Sequence, residues 1–426
     1  MQNWNTDFFE MLYAKLSASL IEDSRTHLFA ISGPGKFLPS GLKPLEKGED
    51  AAILSSMFEQ VPAFSWLEKQ EGRKISEVYT SVLNHKESPV ISGRPEQMAR
   101  LREAEQQYED SFEEYQFYKY AYEAVLLEYL SAKATQENGG AKISRNLLIK
   151  REQAMNKWIA KGHKGRMELC LAIIQEYQPL YSTNFWKKAG ERFQEWQQTT
   201  STGAVFQLTE FYPGYKYWFE NSGWSGFSFD QQDLDHQPKS RLAGLTGDLD
   251  PSFGMFNLSN TQGDRNQLSF LKMGETAVKV ECQLMEVHIE RNWLNPLVLT
   301  NKAWRMGKNS PVPDLSLSSG ADIEQGILPH GEMTLLPLSA IICRNLRVSG
   351  RFTDLAPKLN EEIERHELSV GFGPFAIAGK RYGQDQRLRG TITDQVIEVP
   401  DEQIIGVICE ILPKMPNPNP ELPWKK

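Results

Sequence analysis

A chain of 426 residues, 40% of them hydrophobic and 24% charged, has the length and composition to fold around a large buried core. Its net charge of -8 argues against a nucleic-acid partner, because proteins that bind phosphate backbones need a concentrated cationic face. The ten Trp, 21 Phe and 14 Tyr residues supply large contact surfaces with few rotatable bonds. The composition therefore favours a contact-making role.

The cysteines and the N-terminus bear on the compartment. The four cysteines are far apart in sequence and have mostly apolar neighbours: Cys170, Cys282, Cys343 and Cys409. We expect buried free thiols in a protein made in a reducing cytosol. The sequence shows no signal peptide, so release would require lysis or a specialised export machine. No apolar stretch of the sequence reaches the roughly 20 residues that a transmembrane helix needs.

Residues 1–92 are predicted to form an N-terminal helical collar. A first helix should begin near Thr6, because apolar side chains then recur at a spacing of four. These side chains are Phe8, Leu12, Leu16 and Leu20. The Gly- and Pro-rich stretch SGPGKFLPSGLKP that follows predicts irregular structure. Shorter helices are expected at 51–64 and 74–83.

Residues 93–200 carry the strongest pattern in the chain. Pro95 is tolerated in a first helical turn, and Asn138-Gly139-Gly140 is a stop signal, so the sequence predicts a helix of about 60 Å over 95–135. Apolar, aromatic and small residues occupy the a and d positions of four heptads: Leu101, Ala104, Tyr108, Ser111, Tyr115, Tyr118, Tyr122, Val125 and Tyr129. This periodicity indicates a long face that packs against another helix.

The partner helix is predicted over 144–177, which makes the two helices a long antiparallel hairpin. Its residues expected to face the first helix are Leu148, Met155, Trp158, Gly162, Gly165, Leu169 and Ala172. A glycine inside a helix costs about 1 kcal/mol, so Gly162 and Gly165 mark either close packing or a kink, and close packing is favoured. A third, shorter helix is expected over 186–196.

Residues 201–415 are predicted to form an antiparallel, β-sandwich-like domain, because short alternating segments are separated by Gly and Pro turns. The chain is therefore predicted to be α+β. Strands are expected within 206–229, 278–289, 335–348, 368–377 and 396–397. Long loops are expected over 230–262 and 300–333, a short helix after Asp401, and a flexible tail over 416–426.

The segment 278–289 contains a change of parity. Its apolar residues fall on even positions up to Leu284 and on odd positions from Met285 onward. Because side chains alternate across a strand, this change predicts a β-bulge near Leu284.

Aromatic side chains supply the candidate surface for contact with a partner or a membrane. On the predicted hairpin they are Tyr115, Tyr118, Tyr122 and Trp158, and in the β-rich domain they are Trp218, Phe219, Trp224 and Phe227. Tyrosine is unusual between helices, because each hydroxyl needs a hydrogen-bond partner. A helix face of this kind is less apolar than one of Leu and Ile, so it suits helices that separate and pack again. The alternative is that these rings belong to the core.

One metal-binding or acid–base candidate is visible. Glu286, His288 and Glu290 alternate along a predicted strand, so their side chains share one face, where they can present an imidazole and two carboxylates to a cation. The plain alternative is a strand whose polar face meets solvent, since its other face is apolar. The segment Gly33-Pro34-Gly35-Lys36 lacks the upstream glycine of a phosphate loop, and no cofactor is predicted.

Three classes of function remain from the sequence. The favoured one is a non-enzymatic interaction protein whose hairpin and aromatic-rich β domain bind a protein partner or a membrane surface, including a toxin-like pore former or a homo-oligomer. The second is a structural or cargo component of a larger assembly. The third is a hydrolase with a metal or acid–base site at Glu286, His288 and Glu290. The lack of a nucleotide or nucleophile motif makes an enzyme the less favoured class.

Overall fold

The computed structural model describes residues 4–21, 24–45, 47–65, 70–89, 95–137, 142–177, 182–230, 233, 256–259, 270–271, 278–307, 316–323, 325–366 and 369–424. Within these residues helices and antiparallel sheets are mixed, which confirms the α+β class. The helices are α1 Trp4–Leu20, α2 Gly48–Ser56, α3 Ile75–His85, α4 Pro95–Glu137, α5 Arg145–Ala160, α6 Lys164–Tyr177, α7 Ser182–Glu195, α8 Leu297–Thr300 and α9 Ala356–His366.

The strands of the described residues are β1 His27–Phe37, β2 Gln60–Pro62, β3 Gln70–Lys74, β4 Lys86–Glu87, β5 Gln197–Thr199, β6 Val205–Gln207, β7 Glu210–Tyr212, β8 Ser225–Phe229, β9 Phe256–Ser259, β10 Phe270–Leu271, β11 Lys279–Glu290, β12 Arg305–Met306, β13 Leu335–Ser349, β14 Ser369–Phe372, β15 Phe375–Lys380, β16 Arg387–Arg389, β17 Thr391–Ile392, β18 Val396–Val399 and β19 Gln403–Ile411. The predicted loop over 230–262 lies mostly outside the described residues, and β9 falls within it. The predicted turn at Asn138-Gly139-Gly140 lies outside them entirely.

The main sheet has the order β1-β19-β13-β11-β7, with β8 also paired to β11 and with β18 and β17 continuing from β13. A second sheet has the order β10-β9-β14-β15-β16. One core cluster takes side chains from both sheets, from α1 and from α9. The face that α1 buries includes Phe8, Leu12, Leu16 and Leu20, as the spacing predicts.

The prediction of irregular structure after α1 is wrong at its start, because β1 runs through Ser32-Gly33-Pro34-Gly35-Lys36 as an edge strand of the main sheet. Its register with β19 shifts between Ile31 and Lys36, and such a bulge accommodates Gly and Pro on an edge. A Cβ at Gly35 would lie 2.7 Å from the Pro374 carbonyl oxygen, so glycine is needed where the chain passes this close.

The prediction of a helix after Asp401 is also wrong. That segment is the strand β19, which lies between β1 and β13 and is buried on both faces. A central strand of this kind is a continuous apolar run without alternation, and such a run cannot be told from a short helix by periodicity.

The parity change in β11 has a different cause from the one that the sequence suggested. The register between β11 and β13 does shift between Glu281 and Gln283, but the extra residue is on β13, where Asn345 has a φ of 51°. The even-numbered side chains of β11 stay on one face throughout. Up to Leu284 these side chains pack in the core cluster with α1 and the second sheet, and from Glu286 onward they line a cavity. On the opposite face, the side chains are buried in another core cluster only from Met285 onward.

Helix α4 lies beside α5 and α6. Glu128 near its C-terminal end bonds Lys150 of α5 at 2.7 Å, and Gln107 near its N-terminal end accepts from Arg166 of α6 at 3.2 Å. The predicted single helix over 144–177 is interrupted at 161–163, where His163 has a φ of 52°.

This interruption changes the helical phase between α5 and α6. Leu169 of α6, expected to face α4, is 59% exposed, and Leu148 of α5, ahead of the interruption, is also 43% exposed. The buried side chains of α6 are instead Met167, Cys170 and Ile174. A heptad register carried over three non-helical residues therefore selects the wrong face of α6.

The described part of the predicted tail contacts the body. The Trp424 ring lies 5.1 Å from the guanidinium carbon of Arg305, and the Asn419 amide donates to the Lys302 carbonyl at 2.9 Å. These contacts join the C-terminal segment to the region that carries β12.

Gly162 and Gly165 give a matched test of helix packing. A Cβ at Gly162 would lie 2.8 Å from Trp158 Cδ1 and 3.0 Å from Tyr118 Cβ, whereas a Cβ at Gly165 meets no heavy atom within 4 Å. We expect Gly162→Ala to destabilise the chain by about 1–3 kcal/mol through overpacking. Gly165→Ala should leave stability unchanged or raise it by up to about 1 kcal/mol. Urea denaturation measures both, and equal effects would contradict the packing described here.

Candidate functional site

The face of the main sheet that carries the even-numbered residues of β11 is covered by two layers. Over Val280, Cys282 and Leu284 it packs against α1 and the second sheet. Over Glu286, His288 and Glu290 it is covered by α4, and a cavity of about 490 Å³ lies between them. We call this cavity the inner chamber. The polar face of β11 is therefore covered, with His288 buried and Glu286 and Glu290 half-buried.

Helix α4 has a second inward face, and this face forms one wall of the inner chamber. Its members recur at helical spacing: Phe112, Gln116, Lys119, Tyr120, Glu123, Leu126 and Leu130. The sheet supplies Ser339 from β13 and Glu410 from β19. Polar or charged side chains of four elements, α4, β11, β13 and β19, thus meet in a space where apolar packing would be usual.

His288 is 6% exposed and lies at the centre of this arrangement. Its ring stacks on Tyr120 with centroids 4.6 Å apart, and its Nδ1 lies 3.0 Å from Ser339 Oγ. Ser339 also hydrogen-bonds Glu286. When Glu286 is ionised, Ser339 donates its one hydroxyl proton to Glu286 and accepts from His288 Nδ1–H. That assignment leaves His288 Nε2 as a bare acceptor, and Nε2 has no hydrogen-bond partner among the described residues.

Burial governs the ionisation of the side chains around His288. Loss of hydration raises the pKa of Glu286 to about 7 and the pKa of Glu290 to about 7, while Tyr120 donates a hydrogen bond to Glu290. The same cause raises the pKa values of Glu123 and Glu410. Carboxyl groups that titrate near neutral pH are suited to proton exchange or to binding a cation.

Lys119 is one of three cationic side chains, with Arg192 and Arg291, that line the inner chamber in the described part of the chain. Its ammonium lies 3.7 Å from Glu123 and lowers the pKa values of Glu123, Glu290 and Glu410 against the effect of burial. Burial first and Lys119 second lower the pKa of His288 to about 3, so the imidazole is neutral at physiological pH.

A wider cleft of about 1010 Å³ continues from the inner chamber between α4, α7 and β7, and we call it the outer lobe. The two spaces share the lining residues Phe112, Gln116, Tyr120, Arg192, Glu290 and Asn292. Among the described residues, the outer lobe is lined by nine carboxylates: Glu105, Glu109, Asp110, Glu113, Glu114, Glu191, Glu195, Glu210 and Glu290. Only two cationic side chains, Lys188 and Arg192, line it with them.

Glu286, His288 and Glu290 do share one face, as the alternation predicts, but they do not form a ligand set. Alternate residues of a strand are about 6.6 Å apart, so three of them extend beyond the reach of one coordination sphere. Within the described ranges, no group of three His, Cys, Asp or Glu side chains is placed to hold a metal ion. The site is polar, and His288 at its centre is buried.

The aromatic candidates of the helical region lie between α4 and α5. Trp158 is 8% exposed, and its ring is 5.7 Å from Tyr115 and 5.6 Å from Tyr122. Tyr118 is half-buried against Phe117 and Gly162. These rings hold the helices together, so they are not presented as a free surface.

The aromatic candidates of the β region are divided. Trp218 is fully buried under the main sheet. Phe219, Trp224 and Phe227 are half-buried, and the guanidinium of Arg344 lies 4.2 Å from the Trp224 ring. They do not contribute to the inner chamber or the outer lobe.

Sequence reasoning missed the α4 residues of the site, above all Lys119, Tyr120 and Glu123. A signal for them exists, since they recur at spacings of three and four beside the tyrosine face. Their polarity, however, is that of a solvent-exposed helix face. Ser339 and Glu410 carry no such signal, because each is the one polar residue that its strand contributes to the inner chamber, and no spacing marks it.

Comparison with known protein families, with curated proteins and with solved structures finds no match to this chain. Of the helices that the structure describes, none has both the length and the apolar character that crossing a bilayer requires. The site therefore has to be interpreted from its own chemistry.

The raised pKa of Glu286 predicts a pH-dependent stability. Its carboxyl holds a proton more tightly in the folded chain than at its usual value of 4.5, so its stabilising contribution is complete below that value and is lost as the pH rises through about 7. We expect Glu286→Gln, which mimics the protonated acid, to raise the free energy of unfolding by about 1–3 kcal/mol at pH 8 and by much less at pH 5.

The matched control is Glu281→Gln on the same strand, at a side chain that pairs with Lys279 at 2.6 Å outside the inner chamber. Denaturant unfolding at the two pH values measures both variants. A Glu286→Gln effect that is the same at pH 5 and pH 8 would show that this carboxyl is not desolvated by α4.

Proposed function

We propose that this protein is a non-enzymatic interaction protein, in which a helical hairpin lies on a β-sandwich-like body and binds its partner in the space between them. The hairpin is α4 with α5 and α6, and the body is the pair of sheets. The binding site is the inner chamber with the outer lobe.

One observation carries the proposal: between Phe112 and Leu126, α4 covers the sheet with charged and polar side chains and leaves a continuous cleft. A helix that served only to close the core would place apolar side chains on this face, because burying a carboxylate without a full set of partners costs several kcal/mol. The chain nevertheless buries the carboxyl groups of four residues here, Glu123, Glu286, Glu290 and Glu410. Groups of this kind cluster at functional sites.

The aromatic walls support binding as well. Tyr212 of β7 lies 5.6 Å from Phe117 and 6.0 Å from Tyr120, so rings from the body and from the hairpin meet at the boundary of the two spaces. Such rings bury a large contact area at a low cost in side-chain entropy. Phe117 is 49% exposed at this boundary.

Photo-crosslinking tests the proposal. p-Benzoylphenylalanine is introduced at Phe117, which lines the outer lobe, and in a control at Val205, which is 58% exposed on β6 and does not line it. After irradiation in cells that make the protein, intact mass should show a discrete adduct from position 117 alone. The added mass distinguishes a small molecule, a lipid, another protein and a second 48.6 kDa copy.

A lipid adduct, followed by dye release from liposomes, would support the membrane-active, toxin-like form of the proposal. A second-copy adduct would support a homo-oligomer. Equal adducts from positions 117 and 205, or none from position 117, would contradict a binding site in this cleft.

A hydrolase is the second candidate, and the pKa values of about 7 at Glu286 and Glu290 favour it. Near neutral pH one carboxyl of this cluster holds a proton that it can give to a leaving group, while an ionised neighbour accepts a proton from water. His288 is a neutral imidazole placed between them, bonded through Ser339 to Glu286.

Chromogenic p-nitrophenyl esters, phosphates and glycosides test this candidate. Turnover by the wild type should fall about 100-fold or more in His288→Ala, and it should be unchanged in Glu281→Gln. Absence of turnover by the wild type, or equal turnover in the two variants, would contradict hydrolysis of these substrates.

A further inference from the structure

We propose that the inner chamber binds an alkylammonium group, and that the ligand is a small linear polyamine whose other ammonium groups lie in the outer lobe. This inference rests on the proposed function, since it names the ligand class of the same cleft. It depends on which hydrogen-bonding atoms the cleft leaves without partners, on the charge of its walls and on its aromatic rings.

Among the described residues, one buried atom of α4 and one of His288 in the inner chamber lack a hydrogen-bond partner, and both are acceptors when His288 carries its proton on Nδ1. They are His288 Nε2, on a side chain that is 6% exposed, and Gln116 Oε1. Glu286 and Glu290 add carboxylate oxygens on the same face of β11. Arg291 Nε is an unpartnered donor, but its guanidinium is held by the carbonyl oxygens of Phe58 and Pro337.

A ligand that satisfies several acceptors at once must be rich in donors. An ammonium group carries three N–H donors and a positive charge, so it can donate to an imidazole nitrogen, an amide oxygen and a carboxylate together. A hydroxyl group has one donor, and a carboxylate or phosphate would add charge of the wrong sign. The acceptors therefore select a cationic nitrogen.

Lys119 shows that this environment takes an ammonium group. The chain's own side chain lies 3.7 Å from Glu123 and interacts favourably with Glu290 and Glu410. Among the described residues, four carboxyls line the inner chamber against three cationic side chains, Lys119, Arg192 and Arg291, so one negative charge is uncompensated when all four carboxyls ionise. A bound ammonium would complete this compensation.

The outer lobe supplies the second part of the recognition. Its nine carboxylates against two cationic side chains create a field that attracts and orients a multivalent cation. Tyr120 and Tyr212 lie at the boundary with the inner chamber, where rings can contact both a methylene chain and a cationic nitrogen. Ammonium groups separated by short alkyl spacers match this alternation of acidic and aromatic surface.

A metal ion fits the inner chamber less well than an organic cation. No set of three His, Cys, Asp or Glu side chains in the described part of the chain is placed to ligate one. The volume of about 490 Å³ is in the range of small-molecule sites and leaves room for an alkyl chain.

Calorimetry with the full chain tests the inference, with spermidine and putrescine as ligands. Butylamine, a lysine-rich peptide and magnesium chloride at matched ionic strength are the comparisons. We expect spermidine to bind more tightly than putrescine and butylamine, with magnesium unable to displace it. Stronger binding of the peptide than of spermidine would overturn the assignment to a small polyamine.

Two variants of opposite expected effect show where the ligand binds. Glu290→Gln removes a carboxylate while keeping its shape, and should weaken spermidine binding about tenfold or more. Lys119→Met removes the competing ammonium, and should strengthen binding several-fold. Glu281→Gln, at the other end of β11, is the control and should leave the affinity unchanged.

Several outcomes would overturn the inference. They are an absence of spermidine binding, equal displacement by magnesium, and an affinity that does not change in opposite directions in Glu290→Gln and Lys119→Met. Crosslinking at Phe117 to an uncharged or anionic ligand would reject the polyamine and keep the cleft as a binding site. Absence of both crosslinking and spermidine binding would reject the cleft itself.

Discussion

The packing of α4 over the C-terminal half of β11 is the interaction on which the rest of the structure depends. The sheet face beneath it carries Glu286, His288 and Glu290, which cannot be covered by an apolar helix without losing their hydration. Helix α4 meets them with Lys119, Tyr120 and Glu123 and leaves a cavity between the two layers. The raised carboxyl pKa values and the neutral imidazole follow from this cover.

The same helix is held on its other side by α5 and α6, through Trp158 and the tyrosines around it. Helix α4 is therefore buried on two faces with different chemistry: an aromatic face toward its neighbouring helices and a polar face toward the sheet. Aromatic packing fixes the position of α4, so the middle of its second face, from Gln116 to Glu123, can be polar. The cleft between α4 and the sheet follows from this difference between the two faces of the helix.

The sequence predicted the elements whose signal is local. The long α4, the apolar face of α1 and the strand at β13 follow from periodicity, from Pro95 and from an apolar run. It did not predict what depends on neighbours: β19 reads as a helix because two adjacent strands bury both its faces, and the phase of α6 depends on the break at Gly162-His163. Glu286, His288 and Glu290 were found from alternation, but nothing along the chain tells that α4 covers them.

The central claim is that α4 excludes water from His288 while Ser339 of β13 keeps the proton of His288 on Nδ1. Nitrogen NMR of histidine-labelled protein tests this directly, with His288→Asn used to assign the signal. The account predicts a neutral ring with Nδ1 protonated and Nε2 bare, with no titration down to pH 5. A His288 signal that titrates near its usual value of 6.5, or that shows the proton on Nε2, would contradict it.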